Sequence, residues 1–337
     1  MSTADPRAVR CVGSRRPRGF TALEMLITVV ILGMTTLVIE RTVTGVTETE
    51  RLMRSIRATI TKGQEGAYRL RDLVATSRKL YGNDTVGKAY LAKLASSGVP
   101  IFTGSRLPSF DEVNELGPDA AGDPKTGNVL LFVRESDPAP CVANAALKKT
   151  RLVDTYRFVC VYLTQSARKL ISGGPAALDL VEWRSKGFPS YTQVTAISDT
   201  TERTNVVKDL YTRYGYDYLW DSGAAVGTAF YAIDGSGTIA ATASTVATIP
   251  EDRNVSLRGR FVAGNIGVAR TDMTSKPRQP IFTTEPVATW TPNGFEVKVV
   301  GPSGSRKVWI RLTVEQQAAR GRVPAQQTTV VATTRDL

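Results

Sequence analysis

The 337-residue chain is long enough to bury a sizeable core, as one large domain or two modest ones. Its 42% hydrophobic and 22% charged residues are values of a folded protein, and 43 basic against 31 acidic side chains give a net charge of +12. Histidine is absent, which excludes Ser-His-Asp and Cys-His catalysis and every histidine-containing zinc site.

Residues 1–19 are polar and carry five arginines (Arg7, Arg10, Arg15, Arg16, Arg18) with one acid, Asp5. No apolar run lies within them, so they are not a secretory signal peptide. Without them 38 basic and 30 acidic side chains remain, a balance of +8. Such a chain can approach anionic partners such as nucleic acid or lipid headgroups. Beyond the leader, however, no long Lys/Arg run or interleaved aromatic stripe occurs, so the charge reads as a solvated surface with a basic bias.

The apolar run follows the leader. Phe20 to Ile39 is rich in Leu, Ile, Val and Met, and as a helix it measures about 30 Å, one hydrocarbon thickness. Thr21, Thr28, Thr35 and Thr36 can bond back to their own helix. The arginines hold the N-terminal side in the cytoplasm and send the body of the chain outward. Glu24 breaks the pattern, because an acid near the membrane core costs about 2.5–3.5 kcal/mol. Nothing basic lies in the same run. A cut between Gly19 and Phe20 frees an α-amino group on Phe20, and that group on a neighbouring subunit can neutralise Glu24. The carboxylate then acts as a registry device.

"GFTALE", Gly19 to Glu24, resembles the processing site of type IV prepilins and type II secretion pseudopilins. The Arg-rich leader and the uninterrupted apolar run match as well. The resemblance implies cleavage after Gly19 by a prepilin peptidase, N-methylation of Phe20, and assembly guided by Glu24. It implies partners too: other pilin or pseudopilin subunits and an inner-membrane assembly platform.

From Glu40 to about Leu80 there is no proline. Leu52, Ile56, Ile60, Ala67, Leu70 and Val74 recur at spacings near three and four, which predicts an amphipathic continuation of the helix. Gly45, Gly63 and Gly66 each weaken it by about 1 kcal/mol and predict kinks or melting there. "YGND", Tyr81 to Asp84, is the expected stop. A short helix follows at "VGKAYLAKLASS", then a loop at "GPDAAGDPKTGN". "NVLLFVR" and "YRFVCVYL" read as central strands, with "LDLVEW", "YTQVTAI" and "TAFYAI" as weaker candidates. "FEVKVV" and "KVWIRLTV" alternate, joined by a hairpin loop at "GPSGS", and "TTVVATT" closes the chain. The expected fold class is α+β: a long N-terminal transmembrane and amphipathic helix, then a mostly antiparallel, β-rich, pilin-like head. The expected parts are a cleaved leader over 1–19, a membrane half over 20–39, an amphipathic half over 40–80 and a head over 81–337. This order of parts is similar to that of large minor pilins of the PilW type and J-type pseudopilins.

Cys11 lies in the leader. Cys141 and Cys160 are an even pair in the body, which suggests a disulfide if the body is exported, against two unconnected buried thiols. No cofactor or metal motif stands out. "DGSGT", Asp234 to Thr238, lacks the repeated acids of a calcium loop and reads as a turn. "AGNIG" is too short for a dinucleotide loop. Trp183, Trp220, Trp290 and Trp309 are scattered and read as packing residues. The sequence therefore points to a structural subunit rather than an enzyme: a minor pilin at a filament tip or priming position. The alternatives are a pseudopilin supporting protein export, and a minor pilin whose basic head binds DNA or a surface.

Overall fold

Helix α1 (Ala22–Ala75) is 54 residues long. The structure is a computed structural model, and it describes residues 21–96, 98–112, 125–170, 173–225, 228–244, 246, 249–250, 259–262, 264–270, 293–316 and 325–334. The chain divides into two compact units, Met1–Arg51 and Leu52–Leu337, and α1 contributes to both.

The first unit is the apolar part of α1. Its large side chains are exposed, among them Leu23, Leu26, Val29, Leu32 and Val38. This is the one helix among the described residues that is long and apolar enough to cross a membrane.

The second unit joins the rest of α1 to a β-rich domain. It contains β1 (Ser77–Tyr81), α2 (Thr85–Ser96), β2 (Phe110–Asp111), β3 (Leu130–Asn144), β4 (Lys149–Lys169), β5 (Ala176–Arg184) and β6 (Phe188–Pro189). Then come α3 (Tyr191–Thr195), α4 (Thr200–Thr212), β7 (Tyr218–Trp220), β8 (Phe230–Ala232), β9 (Gly259–Val262), β10 (Ile266–Val268), β11 (Phe295–Val300), β12 (Arg306–Gln316) and β13 (Ala325–Thr334). Eleven strands form one sheet in the order β1-β3-β4-β5-β10-β12-β11-β2, with β13 on β12, β6 on β4 and β9 on β5; β7 and β8 pair separately. Every strand pairing is antiparallel except β2 with β11. One long helix followed by a β-rich, mostly antiparallel domain is the expected α+β class.

Period-two alternation along β4 divides the core. Val159, Val161 and Leu163 join Ala67, Leu70, Leu73 and Val74 of α1 on one face. Phe158, Cys160 and Tyr162 point to the other, where Tyr81, Tyr90, Trp220 and Phe230 build an aromatic layer. The Phe158 ring lies 5.2 Å from Tyr90 and 5.4 Å from Trp220. Beyond this sheet β3 and β4 continue as a two-stranded ribbon. There Ala139, Cys141, Ala143 and Val153 are buried under Val206, Val207 and Leu210 of α4.

Three local expectations are corrected. The helix stops at Ala75, short of Leu80. Thr76 donates to the carbonyls of Asp72 and Leu73, and Ser77 to that of Val74, so hydroxyls satisfy the last turn. Ser77–Tyr81 then pairs with β3, a tertiary choice that helical periodicity does not contain. The glycines do not interrupt the helix. A Cβ on Gly63 would lie 3.1 Å from Val314 Cγ2, and one on Gly66 3.2 Å from Leu312 Cδ2. Gly63 and Gly66 therefore leave β12 room beside α1 that a larger residue would take. "YTQVTAI" forms α3 rather than a strand, because Ser190 caps it and accepts from the Gln193 amide at 3.4 Å. The alternation expected in "FEVKVV" puts Phe295, Val297 and Val299 together in the core, and the opposite face is buried as well, Glu296 and Lys298 included. Glu296 sits directly across from Arg311 and forms an ion pair with it.

The remaining strand expectations hold, most in longer form, although of "TAFYAI" only Phe230–Ala232 is strand. "NVLLFVR" lies within the 15-residue β3 and "YRFVCVYL" within the 21-residue β4. "GPSGS" is the turn of the β11–β12 hairpin, with Gly301 at φ 103° and Gly304 at φ 87°. Helix α4 had no counterpart in the sequence expectations. Its cap was legible, because Asp199 accepts from the amides of Thr201 at 2.8 Å and Glu202 at 3.1 Å.

Candidate assembly segment and the expected site residues

The expected processing residues Gly19 and Phe20 lie outside the described residues, as does Cys11. Glu24 is described, and it has a local partner. Its Oε2 accepts from the Thr21 backbone amide at 2.9 Å and from Thr21 Oγ1 at 3.0 Å. In return the Glu24 amide donates to Thr21 Oγ1 at 3.3 Å. This reciprocal arrangement is a capping box, and it satisfies orphan donors at the start of α1. The spacing Thr21-x-x-Glu24 carries that signal in the sequence. Attention to the charge of Glu24 alone missed it.

Past the cap the segment is apolar and self-satisfied. Thr28, Thr35 and Thr36 donate to the carbonyls of Glu24, Ile31 and Leu32 at 2.7–2.8 Å. Thr42 does the same to Val38 at 2.8 Å. The hydroxyls therefore add no unmet polar group to the apolar surface. A helix capped at its start, with internal backbone bonds and exposed Leu, Ile, Val and Met, suits a hydrocarbon surface or other apolar helices.

The docked half of α1 uses opposite chemistry. Arg69 Nη2 lies 2.9 Å from Glu182 Oε2, and Arg184 binds the other oxygen of Glu182. Glu182 is 1% exposed at its side chain, whereas Arg69 and Arg184 reach solvent. The Arg69 guanidinium also covers the Phe261 ring at 4.7 Å. Thr59 Oγ1 donates to Gln316 Oε1 at 2.9 Å. On the same sheet face Arg134 stands directly opposite Arg157. Burial first, and then the neighbouring Arg184, push the Arg134 guanidinium below its ordinary range. Neither Glu182 nor this arginine group was among the expected site residues, because strand register brings them together.

The expected bridge between Cys141 and Cys160 is absent, and both thiols are free and buried. Register supplies the reason. Cys160 pairs with Leu131, and Cys141 lies ten residues further along β3, so the two are separated by roughly 30 Å of strand. They belong to different clusters on opposite faces. Burial raises both thiol pKa values, that of Cys141 to about 12. Such thiols are inert packing groups at neutral pH.

Asp234 closes a turn. Its Oδ1 accepts from the amides of Ser236 at 2.9 Å and Thr238 at 3.0 Å and from Ser236 Oγ at 2.6 Å. These bonds hold its carboxyl below the ordinary range. Gly237 is required there, since its φ is +88° and a Cβ would meet the Thr204 carbonyl at 2.4 Å. Among the described residues no group of three or more His, Cys, Asp or Glu is placed to hold a metal. Trp183 and Trp220 are buried in the aromatic layer, and Trp290 lies outside the described residues. Comparison of the chain with known protein families, curated proteins and solved structures found no match.

Proposed function

We propose that the chain is a structural subunit of a type IV pilus-like filament, a minor pilin or pseudopilin. It is made as a prepilin, cut between Gly19 and Phe20, N-methylated on Phe20 and joined to its neighbours through the apolar part of α1. In this reading it crosses the inner membrane once, with its N-terminus cytoplasmic and its head outside. Its partners are a prepilin peptidase, other subunits and an assembly platform. The large head favours a tip or priming position.

One observation carries the reading. A single helix starts at the cleavage-like motif, is apolar and exposed over its first unit, and packs on an antiparallel sheet over its last turns. One polypeptide element thus joins a membrane-compatible surface to a folded domain. The Thr21–Glu24 box adds that the carboxylate is held at the helix start before any neighbour arrives.

The test is the N-terminal mass of membrane-extracted protein made with and without a prepilin peptidase. The expected product is N-methyl-Phe20, formed only with the enzyme. An intact leader in both samples overturns the reading. Glu24→Ala is expected to be cut normally but incorporated poorly into filaments, and normal incorporation counts against the pairing role of Glu24.

A further inference from the structure

The β3–β4 ribbon leaves the sheet with one face open. Strand β1 pairs β3 only from Leu131 to Arg134, and β5 pairs β4 only from Val159 onward. Beyond Thr155 no further described strand flanks the pair. Helix α4 covers one face of the ribbon and ties down its outer edge. Val142 N–H donates to Asp209 Oδ2 at 2.9 Å. The Ala143 carbonyl accepts from Asn205 at 3.0 Å, and the Pro140 carbonyl from Tyr214 Oη at 2.9 Å. The tip is thus built rather than loose. Leu147 N–H donates to Asn144 Oδ1 at 3.1 Å, and Lys148 takes φ 49° to close the turn.

The other face is apolar and exposed. Pro140 pairs with Leu152, and Val142 with Thr150. Leu152 is 69% exposed, Leu147 at the turn 74% and Val142 36%. Residues 138–153 contain no acid, and their only charges are Lys148, Lys149 and Arg151. Lys149 and Arg151 lean to the α4 side and meet Glu202.

We propose that this ribbon tip is a docking element for an anionic lipid surface. Leu147, Leu152 and Val142 enter the headgroup–acyl boundary, and Lys148 at the turn meets the lipid phosphates, while Lys149 and Arg151, shared with the single carboxylate of Glu202 on the other face, leave the tip net positive. Charge complementarity selects an anionic partner. The shape selects lipid over a protein. A two-stranded tip offers a few protruding side chains, far from the roughly 800 Å² per partner of a stable protein interface. A lipid boundary needs only a few apolar groups with basic neighbours. Pro138 and Pro140 lack N–H donors, so the ribbon is a poor template for strand addition. The proposal is independent of leader processing and filament assembly.

The test uses full-length protein with Cys11→Ser and Ala146→Cys, labelled at residue 146 with an environment-sensitive dye. The protein is held in phosphatidylcholine nanodiscs, so that α1 is already in lipid. Vesicles of phosphatidylcholine, or of equal parts phosphatidylcholine and phosphatidylglycerol, are then added. The expected result is a blue shift with the anionic vesicles alone, weakened by salt. Leu147→Asp with Leu152→Asp is expected to lower apparent affinity at least about tenfold, and Lys148→Gln about fivefold. These side chains are exposed, so unchanged melting of the variants separates lost docking from lost folding. No shift with anionic vesicles overturns the proposal, as does an equal shift with neutral ones. A shift that follows protein concentration without vesicles identifies a second copy as the occupant and also overturns it.

Discussion

The two ends of α1 share one backbone geometry and differ in what surrounds them. Around the start of the helix, Gly33 and Gly45 have no heavy atom within 4 Å of an added Cβ, and the leucines and valines are exposed. Around its end, Gly63 and Gly66 are in tight contact with β12, and Ala67, Leu70 and Val74 are wholly buried. The polar groups differ likewise. Glu24 is held by its own helix through Thr21, whereas Glu182 under the docked half is held across the sheet by Arg69 and Arg184. With its cap and hydroxyls satisfied locally, the first part of the helix needs no tertiary partner for those polar groups. Its exposed apolar residues are then left for another surface.

The comparison breaks most sharply at Leu70. Leu70→Ala is expected to destabilise the folded domain by about 2–5 kcal/mol, through lost burial and a cavity. Leu32→Ala is expected to change it by less than about 0.5 kcal/mol. Denaturant unfolding in mild detergent, followed by tryptophan fluorescence, measures both, and equal effects would erase the distinction. A smaller contrast comes from overpacking. Gly66→Leu is expected to cost about 1–3 kcal/mol because Leu312 must give way beside it. Gly33→Leu meets open space and is expected to leave the same transition unchanged.

The smallest effect is a pH dependence on the ribbon. The hydrogen bond from Lys149 is the largest influence on Glu202, and with Arg151 it holds the carboxyl below its ordinary value of 4.5. A depressed carboxyl contributes stability that is present above the unfolded pKa and lost as pH falls through the folded one. Wild-type protein is therefore expected to lose more melting temperature between pH 5 and pH 3 than Glu202→Gln. Parallel loss in the two proteins would assign that acid sensitivity to other carboxylates.

The sequence by itself determined the elements whose signal is local. The apolar run, the alternation of β11 and β12 and their glycine turn read directly, because period and turn chemistry act within a few residues, whereas the equally local Thr21-x-x-Glu24 cap emerged only with the structure. The same locality explains the failures. Ser77–Tyr81 looks like more helix and becomes a strand only because β3 offers it an edge. Cys141 and Cys160 look like a pair until register sets them on opposite faces. Gly63 and Gly66, which weaken an isolated helix, give a docked one room against β12. Tertiary structure alone decided those points, and it alone assembled Glu182 with Arg69 and the apolar ribbon tip. Each depends on which distant strands meet and in what register, and no window of neighbouring residues contains that information.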